Sequence, residues 1–368
     1  MKFCIIGAGN GGRAFAAYLA SKGQIVNLYN RSFLRIAHIC KKGGIRALGE
    51  INGFFPLNLI TQDLKKAVSN VDVILIVTPA SAHKFLAREI TPYLSNDQII
   101  LLNPGRTFGA IEFYKTITNL RPNLRIFVAE TQTLLFTSRQ LKKHKVNIIK
   151  IKNSVEFAAF PEENTQYVYL KLKKIFPQLK PSDDYLSMTL TNIGMLLHPA
   201  ITILNAGAMD GGRPFKFYKE GATSNVCQVL EAIQLEINAI FDKLGVKQYD
   251  FCKWANLSYG VNFPEIFETI QNIKPYEGIY APKQLITRYL TEDVPTGLVP
   301  LKSLADFLGV KVPIIESIIC ISSILCGIDF EKTGRTLENL EIVDYIKERT
   351  FIREIYETQS LERFYIDA

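Results

Sequence analysis

Histidine is scarce in this chain, with four in 368 residues, and the six cysteines (Cys4, Cys40, Cys227, Cys252, Cys320 and Cys326) include no CxxC pair. The two residue types never stand at metal-ligand spacing, so no metal centre and no disulfide framework is expected. Most of the cysteines lie in apolar stretches, the setting of reduced core thiols, and a cytoplasmic location is the expectation. No apolar run reaches the ~20 residues that cross a bilayer. The most hydrophobic stretch, 312–328, carries Glu316, Ser317, Ser322 and Ser323 and reads as a buried helix, so no membrane association is expected. The apolar run 3–6 is too short for a signal peptide. Internal repeats and low-complexity tracts are also missing. The formal charge of +8 raises the question of nucleic acid. The basic residues are spread widely, however, with no aromatic-interleaved motif, and no nucleic-acid partner is expected. A positive field should instead steer anionic cofactors and carboxylates toward the protein.

The length is too great for one ordinary core and suits two domains. The first half alternates strand and helix patterns. Residues 2–6 form an apolar strand-length run, Gly7-Ala8-Gly9-Asn10-Gly11-Gly12 follows, and 13–21 reads as a helix. Gly7, Gly9 and Gly12 therefore form a GxGxxG between a strand and a helix, the context in which that motif binds a dinucleotide pyrophosphate. The free N–H groups of the helix start face the phosphates. Asn10 and Gly11 belong to the same loop. A second strand, 25–29, ends in Asn30-Arg31-Ser32, with Arg35 one turn on. An acid at that point would favour a free ribose hydroxyl. A neutral residue, an arginine and a hydroxyl suit a 2′-phosphate, so NADP(H) is favoured, with NAD(H) as the alternative.

The rhythm continues with a helix at 61–70, a strand at 71–77, a helix at 84–93, and strands at 98–102 and 125–129. This predicts a doubly wound parallel sheet of Rossmann type, with ligands at the carboxyl ends of its strands. Thr78, Pro79, Asn103, Gly105, Arg106, Glu130 and Thr131 fall there. His83 stands at the same edge, where a structural or cofactor-lining role competes with catalysis. Short strands are expected over 139–159 and an amphipathic helix over 162–176. The segment 178–184, with Pro181, is the expected boundary between a dinucleotide-binding domain (1–183) and a mainly α-helical substrate domain (184–368). In the latter, 185–206, 225–244, 312–327 and 341–361 read as helices.

Two places in the second half stand out. His198 lies in a strongly apolar helical segment just before Pro199. The block Arg288-Tyr289-Leu290-Thr291-Glu292-Asp293-Val294-Pro295-Thr296-Gly297-Leu298-Val299-Pro300 has two adjacent acids, two prolines and a glycine, and reads as a specialised loop before a helix.

With these motifs in hand, the chain resembles the octopine/nopaline (opine) dehydrogenase family. The resemblance rests on GAGNGG at 7–12, the segment from Asn192 to His198-Pro199, and YKEGAT at 218–223 before a long helix containing Glu231 and Glu236. It continues through 288–300 and the Gly334-Arg335-Thr336-Leu337 segment, and so covers nearly the whole chain. It implies a Rossmann domain followed by a helical domain, with the active site in the cleft. It also implies NAD(P)H-dependent reductive condensation of an L-amino acid with a 2-oxo acid. The family's histidine–aspartate pair matches His198 and Asp293. An imidazole titrates near neutrality and a carboxylate on its other nitrogen fixes the tautomer, which suits proton transfer during imine formation and reduction.

The product carries two carboxylates, for which arginine is the natural partner. Arg106, Arg139, Arg213 and Arg288 are the candidates, and Asn192 is a further one for substrate or nicotinamide. Two other readings stay open. One is a 2-oxo acid or ketopantoate-type reductase depending on a lysine, here Lys253 with Asn256. The other is a non-catalytic NADP(H)-binding protein. A homodimer is compatible with the apolar C-terminal helices, as is a simple core.

Overall fold

The computed structural model describes residues 1–350. Twelve strands are present among them: β1 (Lys2–Ile6), β2 (Ile25–Tyr29), β3 (Gly44–Gly49), β4 (Gly53–Pro56), β5 (Leu59–Thr61), β6 (Val73–Ile76), β7 (Ile99–Leu102), β8 (Phe127–Thr131), β9 (Phe136–Lys142), β10 (Lys145–Ile151), β11 (Val155–Phe160) and β12 (Leu179–Pro181). Eight form one sheet in the order β12-β11-β8-β7-β6-β1-β2-β5. Its pairs are parallel except that β11 runs antiparallel to β8. The central strands VILI and IILL, and KFCII after its first residue, are apolar throughout because both faces are covered. Alternate side chains of β1 feed different cores. Phe3 and Ile5 pack with Phe15, Phe136 and Phe176 on one face. Cys4 and Ile6 join the other face, whose core runs on without a break into the helical half.

The sheet order reverses between β1 and β6, which opens the ligand crevice at their carboxyl ends. A second sheet, β4-β3-β10-β9, covers the first helix, Asn10–Ser21. The sequence pattern foresees short strands after residue 139 but neither their pairing with β3 nor the mixed sheet they build. Two predicted helices are also shorter than expected. Residues 59–61 are strand β5, and the helix that follows is only Leu64–Val68, capped by Asp63. The helix expected over 162–176 is Thr165–Leu172. Within the expected boundary segment, Leu179–Pro181 still pairs with β11 as the last strand of the sheet, and helices take over at Tyr185.

The expected helix 185–206 is two helices, Tyr185–Leu190 and Ile193–Leu204. Asn192 starts the second one, its Oδ1 accepting from the Gly194 N–H. A capping side chain thus divides a segment that is apolar over most of its length. The helices Ser224–Leu244 and Pro313–Cys326 lie where expected, within a residue or two. Residues 343–350 are helical, and the rest of the predicted 341–361 helix lies outside the described residues. The block 288–300 is not a loop. It runs through a helical turn, Arg288–Thr291, and a π-helical turn, Val294–Leu298, into the helix Val299–Leu308. Pro295 and Pro300 donate no backbone hydrogen bond, and a widened turn of this kind is common beside functional residues.

Candidate active site

The two ends of the crevice are built differently. At the nucleotide end, Gly7 has φ +112°, and a Cβ there would lie 2.4 Å from the Val77 carbonyl oxygen. At Gly12 it would lie 1.7 Å from the Gly7 oxygen. Both positions therefore require glycine, one for the turn and one for helix–strand packing. A Cβ on Gly9 would meet nothing within 4 Å, which leaves open space over the backbone. The Asn10–Ser21 helix begins with no side-chain cap and no acid in its first turn. Its leading N–H groups have no intrahelical acceptors, as a bound pyrophosphate requires. The residues present therefore fit a dinucleotide.

Two predicted cofactor contacts have other duties. Asn30 Oδ1 accepts from the Ala8 N–H at 3.0 Å and its Nδ2 donates to the Ser32 carbonyl, so this side chain braces the glycine loop from below. Asn10 Oδ1 accepts from the Gln140 N–H at 2.8 Å and ties the loop to β9. Arg31 and Ser32 are exposed beyond β2, and the Ser32 hydroxyl caps no helix. Thr78, at the carboxyl end of β6, has a buried Oγ1 with no partner among the described residues, while Pro79 is exposed beside it.

At the other end, His198 and Asp293 meet. Nδ1 of His198 lies 2.7 Å from Asp293 Oδ2, and Nε2 lies 2.8 Å from the Tyr218 hydroxyl. Tyr289 stacks on the imidazole with centroids 4.2 Å apart. Burial pushes the Tyr218 phenol well above its ordinary pKa, so it stays a donor. That fixes the tautomer: Nδ1–H donates to Asp293 and Nε2 accepts from Tyr218. Burial also holds His198 below the ordinary imidazole value, helped by Arg106 and Arg288 and opposed by Asp293. The free imidazole is therefore neutral and basic at Nε2 near neutral pH.

Arg106 organises this end. It is buried and contacts Asp293 Oδ1 at 3.1 Å, Glu292 Oε1 at 3.2 Å and Asn192 Oδ1 at 3.1 Å. Burial alone would lower its pKa, but the two carboxylates outweigh that and raise it. Burial would likewise raise Asp293, yet Arg106 and then His198 hold it below the ordinary carboxylate range. Gly194 makes the contact possible. A Cβ there would come 2.2 Å from an Arg106 nitrogen and 2.4 Å from Asp293 Oδ1. Glu292 Oε1 also accepts from the Ala80 N–H at 3.2 Å, linking the π-turn to the end of β6.

A scan of family models matches residues 181–326 to the NAD/NADP octopine/nopaline dehydrogenase α-helical domain and residues 2–106 to the NAD-dependent glycerol-3-phosphate dehydrogenase N-terminus. An opine dehydrogenase of Arthrobacter sp. (strain 1C) is 39% identical over 340 residues, covering 92% of this chain and 94% of that protein. This chain belongs to the opine dehydrogenase family. It is an NAD(P)-dependent oxidoreductase of that family. Octopine dehydrogenase solved with NADH and L-arginine superposes with a TM-score of 0.76 at 20% identity, over 94% of this chain and 97% of the other. The same enzyme with NADH and pyruvate gives 0.73 at 20% identity, over 92% and 95%. These two show the shared fold.

The remaining predicted residues of this opine dehydrogenase family member divide sharply. Arg106 is engaged by Glu292, Asp293 and Asn192 through Nε and Nη1, a role in the scaffold behind His198 rather than that of a cation free of acids. Arg139 on β9 and Arg288 both act electrostatically on Tyr218 and Tyr289 beside His198, and neither pairs with an acid among the described residues. Arg213 is exposed in the turn after the helix Ala206–Asp210. Asn192 keeps a buried Nδ2 with no partner among the described residues. His83 is fully buried against Arg335 and Phe113, and burial pushes its pKa well down. That is a structural setting. Lys253 is exposed and pairs with Asp250 at 3.2 Å at the start of the Phe251–Tyr259 helix, so the lysine-dependent reading loses its lysine.

Sequence reasoning missed Tyr218, Tyr289 and Glu292 as parts of the site, and Lys152 as a buried residue. Each of the first three lies in a motif that carries the resemblance, but nothing in their spacing says that they meet His198 or Arg106.

Proposed function

We propose that this protein catalyses NAD(P)H-dependent reductive condensation of an L-amino acid with a 2-oxo acid, with His198 and Asp293 as its proton-handling pair. The observation that carries the reading is the polarised chain Arg106–Asp293–His198–Tyr218, which leaves a basic Nε2 at the interior junction of the two halves. The bound cofactor supplies a hydride from its reduced nicotinamide. The protein supplies the rest. His198 Nε2 takes the proton that the amino acid's ammonium must lose before it can attack the keto carbon. It returns a proton to the departing oxygen as water leaves and the imine forms. Asp293, kept ionised by Arg106, stabilises the imidazolium between these steps. Tyr218 holds Nε2 until substrate takes its place. Arg139 and Arg288, cations with no acidic partner among the described residues, are suited to the two α-carboxylates. The solved octopine dehydrogenase complexes hold L-arginine in one case and pyruvate in another, in keeping with that substrate pair.

The same reading extends to the cofactor. Arg31 and Ser32, exposed where no acid follows β2, favour the 2′-phosphate of NADP(H) over NAD(H). The test is cofactor oxidation by wild type and His198→Ala with each substrate alone and with both. Turnover that needs both and collapses in the variant supports the proposal. Reduction of a 2-oxo acid with no amine present overturns it.

A further inference from the structure

Lys152 follows β10 and is buried, its residue only 4% exposed. Its Nζ donates to Thr133 Oγ1 at 2.9 Å and lies over two rings, 5.1 Å from the centroid of Trp254 and 5.6 Å from that of Tyr259. No carboxylate among the described residues pairs with it. An ammonium has three protons to donate, and this one uses a single acceptor. Beside it, Trp254 Nε1 is a second buried donor, with no acceptor among the described residues. Leaving such groups unmatched in a protein interior costs stability unless a ligand completes them.

The position is as telling as the chemistry. Lys152 sits where the sheet half meets the helical half. Its own N–H bonds to the Leu135 carbonyl, and the next N–H, of Asn153, bonds across to Ser258 in the Phe251–Tyr259 helix. From Tyr259 the aromatic wall runs to Tyr276 at 5.9 Å, then to Tyr218 stacked at 4.0 Å, then to His198. Lys152 therefore stands at the far end of the wall that begins at the reacting centre, and the charge of Arg106 reaches it.

On the basis of the condensation reading above, we propose that Lys152 and Trp254 form a subsite for an additional carboxylate, carried at the far end of the amino acid or of the 2-oxo acid. The protein then selects a substrate pair with three carboxylates rather than two. Burial, with the Arg106 charge adding to it, pushes the empty lysine down to about 7. An arriving carboxylate restores its charge, because it supplies the counter-ion that the protein withholds. A merely structural lysine, wedged between two rings, would give the same fold and no substrate discrimination.

The experiment compares wild type, Lys152→Met and Trp254→Phe, each confirmed folded by circular dichroism and NADPH binding. Glutamate is set against glutamine with pyruvate as partner, and 2-oxoglutarate against 2-oxobutyrate with alanine as partner. In wild type, one of the two acidic compounds is preferred, and that arm identifies which substrate carries the third carboxylate. In Lys152→Met the ratio of kcat/KM for acidic over neutral substrate falls at least about tenfold, mostly through KM, the size of a lost charge-assisted hydrogen bond. Trp254→Phe lowers the same ratio by less. A parallel fall for acidic and neutral substrates, or wild-type turnover with no preference between them, overturns the subsite. The thermal shift produced by glutarate on the NADPH-loaded protein keeps the two readings separable. If no substrate pair turns over yet Lys152→Met abolishes that shift, the subsite stands and the condensation reading fails. If turnover proceeds but the shift survives the substitution, the subsite fails alone.

Discussion

Arg106 and Lys152 are both buried cations at the junction of the two halves, and the chain treats them in opposite ways. Arg106 is met by Glu292, Asp293 and Asn192. Lys152 is met by one hydroxyl and two rings. A buried charge that finds its counter-charge within the chain is part of the scaffold, and here it holds Asp293 ionised behind His198. A buried charge without one is an invitation to a ligand. Arg139, half-buried, and Arg288, exposed, also have no acidic partner among the described residues, and both act electrostatically on the rings beside His198.

The contrast breaks most visibly on substitution. Arg106→Met leaves two carboxylates buried without a cation and should cost ~3–5 kcal/mol in denaturant unfolding. Lys152→Met removes a lone buried charge and should leave stability unchanged or higher. Equal losses in both would erase the distinction. His198→Ala should keep the fold and lower kcat by ~10²–10⁴, the range of a lost general acid–base group.

The acid limb of the kcat/KM profile sharpens the account. His198 works as a neutral base and its pKa lies below 6.5, so activity should fall as pH drops through that lowered value. Asp293 raises the histidine, so Asp293→Asn should move the limb to still lower pH. A shift upward would contradict the assigned roles.

Glu130 supplies a buried acid for the same comparison. Burial lifts its pKa to about 7, against the bonds it receives from Thr189 and Ala110. With the folded value above the unfolded one, the folded state retains its proton between about 4.5 and 7. Stability from this group is complete below that window and is lost as pH rises through it. Glu130→Gln should flatten the decline by up to about 3 kcal/mol, seen as a smaller drop in Tm between pH 5 and pH 8. The smallest effect is expected at the surface. Arg31→Ala should raise KM for NADPH about tenfold and leave KM for NADH nearly unchanged.

What the sequence made legible follows what local chemistry dictates. Gly7 and Gly12 are irreplaceable within their own turn, so the motif could be read without the fold. The continuous apolar strands gave away a covered sheet for the same reason. His198 and Asp293 stand 95 residues apart, and only the family resemblance paired them. The break at Asn192 was hidden because leucines, isoleucines and methionines recur on both sides of it, although asparagine is a strong start signal. Asn30 could not be read as a brace for the glycine loop, since its partner Ala8 is reached only through strand pairing. The burial of Lys152 depends on Trp254 and Tyr259, about a hundred residues further along the chain. Long-range encounters of that kind leave no periodic trace.

The most direct test of the central claim is oxidation of NADPH and NADH by wild type and His198→Ala, across L-amino acids paired with 2-oxo acids and with each omitted in turn. Turnover is expected only when both substrates are present, faster with NADPH, and lost in the variant. Turnover with a 2-oxo acid alone, or undiminished turnover in His198→Ala, would contradict it.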